Sequence, residues 1–121
     1  MAKIQSHRDL VVWQKAMEMT VEVYRLTEEG FPRSEIYGLT SQVRRAAASV
    51  PANIAEGQAR GTTRDYAHFL SVARGSLMET ETFLTLSLRL GYLTEDASAS
   101  TLALITEISK MLTALRNKLR G

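Results

Sequence analysis

The sequence predicts an all-α protein, an antiparallel up-and-down four-helix bundle, on three observations. Four long stretches repeat apolar residues with the 3.6-residue period, none convincingly alternates with period 2, and the connections between them are short. The chain has 121 residues, which suits a single domain spanning 1–121. A domain of this size buries about 65% of the surface its unfolded chain exposes, enough for a core without covalent staples.

Residues 1–9 carry no apolar period and read as a mobile N-terminal segment. The first helix runs from about Leu10 to Thr27. Leu10, Trp13, Met17, Val21 and Tyr24 form one seam, and Val12, Ala16, Met19, Val23 and Leu26 form a second beside it. Lys15, Glu18, Glu22 and Arg25 share a narrow polar stripe. Gly30 is placed to cap the helix and Pro32 to stop it.

The second helix is expected from Ser34, as N-cap, or a few residues later, to Gly57. Its core face is Ile36, Leu39, Val43, Ala46, Ala47, Val50 and Ile54, while Ser41, Ala48, Ala52 and Ala55 form a different, small-residue face. Pro51 removes a backbone hydrogen bond from the helix interior, yet the apolar phase continues to Ile54. One kinked helix is therefore expected rather than two. Thr62 with Asp65 has the capping-box spacing and starts a third helix reaching about Leu90, with its seam on Tyr66, Leu70, Ala73, Leu77, Leu84 and Leu88. Thr94 caps the fourth helix, from about Glu95 to Leu119, whose seam Leu102, Ile105, Ile108, Leu112, Leu115 and Leu119 steps by three or four residues throughout.

Composition narrows the function classes. Hydrophobic residues at 45%, seven Gly and two Pro exclude collagen-like, low-complexity and disordered chains. With no cysteine there is no disulfide, thiolate nucleophile or Cys-ligated metal. Residues 1–9 have no signal-like apolar run, and no run is long enough to cross a bilayer, so a cytoplasmic location without membrane contact is expected. The net charge is +2, but residues 33–74 carry six basic groups, all arginine, against three acids.

Catalytic constellations are missing from the sequence. His7 and His68 are the only histidines. Asp65-x-x-His68 lacks the second such element a di-iron bundle requires. RNA-cleaving helical bundles of the HEPN type have four to six residues between their Arg and His, whereas three lie between Arg64 and His68 and seven between Arg60 and His68. There is no phosphate-binding loop, dinucleotide fingerprint or nucleophile elbow. No catalytic residue, metal or cofactor is expected, and the protein is read as a non-enzyme.

What remains is surface. The first helix is apolar over more than half its circumference, wider than a bundle seam needs. It either lies deep in the monomer or binds another copy of the chain, and the second reading is preferred because soluble monomers rarely expose large apolar patches. The interface residues expected are Val12, Ala16, Met19 and Val23 with Ala48 and Ala52 of the small-residue face. Arg44, Arg45, Arg60, Arg64 and Arg74 bracket the second and third helices. Arginine suits bidentate phosphate contacts, and a ring of copies multiplies their charge. Ordinary solvated or salt-bridged arginines, with partners such as Glu56 and Asp65, are the alternative at each position.

Several words in the chain carry a family resemblance. They are Asp9-Leu10-Val11-Val12-Trp13-Gln14-Lys15-Ala16, Phe31-Pro32 with Glu35-x-Tyr37-Gly38-Leu39, Gln42-Val43-Arg44-Arg45-Ala46-Ala47, Ser49-Val50-Pro51-Ala52-Asn53-Ile54-Ala55-Glu56-Gly57, and Phe69-Leu70 with Ala73-Arg74-Gly75-Ser76. Together they resemble the four-helix-bundle proteins encoded by intervening sequences in bacterial 23S ribosomal RNA genes. The resemblance spans about residues 9–93, and the fourth helix matches by pattern. It implies a bacterial cytoplasmic bundle and a homopentameric ring, similar in fold to the accessory variability determinant of diversity-generating retroelements, a basic pentamer that binds nucleic acid and a reverse transcriptase. It implies no catalytic residue.

The leading reading is a non-enzymatic oligomer that binds nucleic acid, RNA ahead of DNA. The competing one is a structural or protein-interaction module that touches no nucleic acid. Local neutralisation of the arginines by acids favours the second; a continuous arginine face favours the first. Trp13 is expected in the core near Tyr24 and the third helix, Pro51 and Asn53 at the kink, and Gly57 at the helix end.

Overall fold

Each apolar period becomes one helix. The computed structural model describes residues 5–120, in which α1 (Val11–Gly30), α2 (Leu39–Ala59), α3 (Thr63–Arg89) and α4 (Glu95–Arg120) follow one another through short turns. Each helix packs on two others in the cyclic order α1–α2–α3–α4–α1, with α2 on α3 the most extensive pairing. That leaves α1 diagonal to α3 and α2 diagonal to α4, the geometry of an up-and-down bundle. Val23, Val43, Val50, Leu77, Leu84, Ile105 and Ile108 are fully buried at its centre.

The bundle contains one broken rule and its repair. Pro51 lies inside α2, so the carbonyl of Ala47, four residues back, has no α2 N–H to accept. Thr20 of α1 supplies a donor in its place: the single Oγ1 proton is shared between its own Ala16 carbonyl at 2.8 Å and the Ala47 oxygen at 3.1 Å. The helix therefore continues through the proline as the apolar phase predicted. Beyond it, Asn53 Nδ2 donates to the Ser49 carbonyl at 2.7 Å and to Ser49 Oγ at 2.9 Å, and Ser49 Oγ meets Ser76 Oγ of α3 at 2.9 Å. Asn53 thus ties α2 to α3 through Ser49.

Caps and turns depart from expectation in identifiable ways. Ser34 does not cap α2. Arg33–Glu35 form a 3-10 turn, and Glu35 Oε1 accepts the Leu39 N–H at 3.1 Å. The other oxygen of Glu35 accepts from the Tyr92 hydroxyl at 2.9 Å, binding the α3–α4 turn to the start of α2. This hydrogen bond, reinforced by burial, raises the tyrosine pKa above its ordinary value. Gly30 is the last residue of α1 rather than its cap, and a side chain there would sit 2.5 Å from the Tyr92 carbonyl oxygen. Gly57 does not end α2, which continues to Ala59; a Cβ on it would lie 2.8 Å from the Cβ of Phe69, so glycine lets α2 and α3 approach. Thr62 and Thr94 cap α3 and α4, accepting from Asp65 N and Ala97 N, both at 3.1 Å.

Of the N-terminal segment 1–9, residues 1–4 lie outside the described residues, and 5–9 are placed against the bundle. Ser6 and Asp9 form a reciprocal capping box on a 3-10 turn, His7–Asp9, which packs on α1 and α2. His7 meets Trp13 edge-on at 5.0 Å, and Gln14 Nε2 donates to the Arg8 carbonyl at 2.8 Å. Trp13 does pack against the core, but not near Tyr24. The two are eleven residues apart on α1, about 16 Å along the axis.

The larger correction concerns which seam of α1 is buried. Val12, Ala16, Met19 and Val23, expected at an oligomer interface, lie inside the monomer; Ala16, Met19 and Val23 are wholly inaccessible. The neighbouring seam faces outward, with Met17 41%, Val21 47% and Tyr24 45% exposed. Contacts between helices orient α1 this way. Besides Thr20 on α2, Glu22 accepts from Thr101 of α4 at 2.8 Å, and Lys15 pairs with Glu107 of α4 at 2.9 Å. These groups point toward α2 and α4, so the stripe between them points inward.

Candidate functional site

The five arginines expected to hold nucleic acid divide, among the described residues, into two that are partnered and three that are not. Arg44 is committed to α1: its Nε donates to Thr27 Oγ1 at 2.8 Å, its Nη2 lies 3.4 Å from Glu28 Oε2, and its guanidinium sits 4.6 Å above the Tyr24 ring. Arg60 is similarly occupied, with Nε on Glu56 Oε2 at 3.1 Å and its guanidinium 4.9 Å from the Phe69 ring. Arg45, Arg64 and Arg74 are exposed and form no ion pair among the described residues. Arg64 and Arg74 are ten residues apart on α3, which turns them about 80° from each other. Glu56 neutralises Arg60 as the sequence suggested. Asp65 enters no ion pair among the described residues, and Glu28 is a partner the sequence did not point to.

Arg45 stands between two shallow grooves. One, of about 340 Å³, runs between α2 and α3, past Gln42, Ser49, Ser76, Glu79 and Phe83. The other, of about 400 Å³, lies toward α1, past Tyr24, Ile36, Ser41, Arg44 and Ala48. A third groove, of about 340 Å³, is almost wholly apolar, lined by Leu10, Val11, Met111, Leu115 and Lys118. In the α2/α3 groove the two serine hydroxyls bond each other at 2.9 Å, and among the described residues neither bonds the Glu79 carboxylate. Among the described residues, no group of three or more His, Cys, Asp or Glu side chains is placed to hold a metal. No helix among them is long and apolar enough to cross a membrane.

Ala48 and Ala52, the other expected interface residues, are exposed on α2. Ala48 lines the same groove as Tyr24 of α1, so the small-residue face of α2 and the outward seam of α1 form adjoining surface. A second exposed apolar set lies along α3 and its C-cap: Val72, Leu86 and Leu90. The spacing Val72–Leu86 is two heptads and Leu86–Leu90 one further turn, so all three share a flank. Gly75 lies on the exposed side of α3, and a Cβ there would meet nothing within 4 Å.

The motif words now have physical roles: Pro51 with Thr20, Asn53 with Ser49 and Ser76, Gly57 against Phe69, Glu35 with Tyr92. The model of the 23S rRNA-intervening sequence proteins matches residues 8–114, nearly the whole bundle. The chain belongs to that family. Its match runs through most of α4, beyond the point where the quoted words end. Among solved structures, this 23S rRNA-intervening sequence protein is similar to a Bacteroides thetaiotaomicron protein of the S23 ribosomal protein family, whose function is unknown. The two share 28% identity with a TM-score of 0.78, over 88% of this chain and 98% of the other. No curated protein matches the chain.

Proposed function

We propose that the protein is a non-enzymatic helical module that assembles head-to-tail with copies of itself into a closed ring. The observation that carries this is the pair of exposed apolar sets on α1 and α3, the two helices that stand diagonally across the bundle. Outward faces of diagonal helices point in opposite directions. A two-fold dimer needs one self-complementary patch, whereas a head-to-tail assembly needs two different patches on separate sides of each copy. Met17, Val21 and Tyr24, flanked by Ala48 and Ala52, supply one; Val72, Leu86 and Leu90 supply the other. The homopentamer that the family resemblance implies is a ring of this kind.

Two surface variants test it by complementation. Val21→Glu spoils the α1 face and Leu86→Glu the α3 face, and both side chains are exposed in the monomer. Light scattering should find each variant monomeric at micromolar concentration and their mixture a one-to-one pair, because the mixture retains one intact pair of faces. A monomeric wild-type protein refutes assembly, and a mixture that stays monomeric refutes the head-to-tail arrangement.

A second reading, nucleic-acid binding with RNA ahead of DNA, is favoured by Arg45, Arg64 and Arg74, which no carboxylate neutralises among the described residues. Binding that weakens steeply with salt supports it. Failure to retard either nucleic acid at low salt refutes it.

A further inference from the structure

Arg116 is the one described residue with a buried side-chain polar atom that has no hydrogen-bond partner, its Nε. The rest of its guanidinium is barely better served: Nη1 lies 3.4 Å from Ser71 Oγ across the α3/α4 groove. Ser71 gives its own proton to the Ala67 carbonyl at 3.2 Å, so its oxygen faces Arg116 as an acceptor only. Guanidinium is always charged and presents five N–H donors. A partly buried one with no carboxylate beside it is costly unless an anion completes it.

The flanking stretches of α3 and α4 supply more positive charge and no negative charge. Arg74 follows Ser71 by three residues on α3, which makes the two helix-surface neighbours. Arg120 follows Arg116 by one turn on α4. From Tyr66 to Met78 on α3, and from Ile108 to Arg120 on α4, the sequence contains no Asp or Glu. The acids of these two helices lie elsewhere, at Asp65, Glu79, Glu81, Glu95, Asp96 and Glu107. Asp65 stands in the first turn of α3, before these acid-free runs, so the stretch where Ser71 faces Arg116 is cationic with an arginine fork at its centre.

We infer that the α3/α4 groove along this stretch is a phosphodiester-binding site, with Arg116, Ser71 and Arg74 at its centre and Arg120 extending it. The planar fork of arginine takes two phosphate oxygens at once, and a row of cations along a groove suits a polymer of phosphates better than an isolated anion. This rests on the nucleic-acid reading above and gives it a location, on residues separate from Arg44, Arg45 and Arg60.

The test measures fluorescence anisotropy of an oligouridylate and an oligothymidylate with the full chain across a salt series, and polyglutamate as competitor. The Arg74→Gln/Arg116→Gln variant should bind the oligouridylate about tenfold more weakly. Its salt dependence should flatten by about 1.4 in the log–log slope, two phosphate contacts of a single strand. Arg116→Lys, which keeps the charge and loses the fork, should fall between, and Arg33→Gln, on an exposed side chain in the turn before α2 at the opposite end of the bundle, should match wild type. Arg74→Gln alone, on an exposed side chain, carries the test if the double variant loses helicity. Wild-type binding unaltered by these variants overturns the site and leaves the nucleic-acid reading standing. No wild-type binding to either oligonucleotide at low salt overturns both, and polyglutamate competing as well as oligouridylate overturns the choice of phosphate.

Discussion

Replacing Thr20 by valine isolates the repair of Pro51. The two side chains have nearly the same shape and similar helix propensity, so the substitution removes little besides the hydroxyl. The Ala16 carbonyl keeps its ordinary partner within α1. The Ala47 carbonyl does not, because residue 51 has no N–H and Thr20 Oγ1 at 3.1 Å is its donor. Ala47 is wholly buried, so its oxygen is left without a partner. An unsatisfied buried acceptor costs about 1–3 kcal/mol. Urea unfolding followed by helical circular dichroism, at one fixed protein concentration, measures the loss. Pro51→Ala restores the backbone donor, so Thr20→Val in that background should cost about 1 kcal/mol less than in wild type. A cost that is the same in both backgrounds to within about 0.3 kcal/mol means that the hydroxyl and the proline are energetically independent, and it refutes the repair.

One substitution at two glycines should give opposite signs. Gly75→Ala, with open space around the new methyl, should stabilise the fold by about 0.5–1 kcal/mol, whereas Gly57→Ala should destabilise it by about 1 kcal/mol because its Cβ would lie 2.8 Å from that of Phe69; urea midpoints decide both. Leu77→Ala, at a fully buried centre of the bundle, should cost about 2–5 kcal/mol in the same assay. The raised pKa of Tyr92 means that the folded state holds the phenolic proton to higher pH than the unfolded chain does. Its contribution is therefore complete below about pH 10 and lost as pH rises through the raised folded value. Tyr92→Phe should shrink the alkaline fall in melting temperature, and an unaltered alkaline limb would exclude Tyr92 as its source.

The four helices were legible because period and caps act locally: Thr62 and Thr94 satisfy amides three residues away, and the α4 seam repeats without interruption. The inward side of α1 was not legible. Both its seams are apolar, and the choice is made by Thr20 with Ala47, Glu22 with Thr101 and Lys15 with Glu107, partners 27, 79 and 92 residues away. The same distance rule divides the arginines. Arg60 with Glu56 is an i,i+4 pair visible in the sequence, whereas Arg44 with Glu28 needs α1 and α2 side by side. Arg116 was hidden from net charge, because residues 75–121 carry five basic and five acidic groups. The acid-free run from Ile108 to Arg120 was its available signal.

Glu35 has a consequence for how the molecule opens. By holding both the first amide of α2 and the hydroxyl of Tyr92, it clamps two chain reversals at one end of the bundle. At the other end, α4 contributes no buried residue after Leu112. Breathing of the fold is thereby polarised, with the last turns of α4 exchanging their amide hydrogens first and the Glu35 end last. Those last turns carry Arg116 and Arg120, so a bound polyanion would slow exchange where the free protein protects itself least.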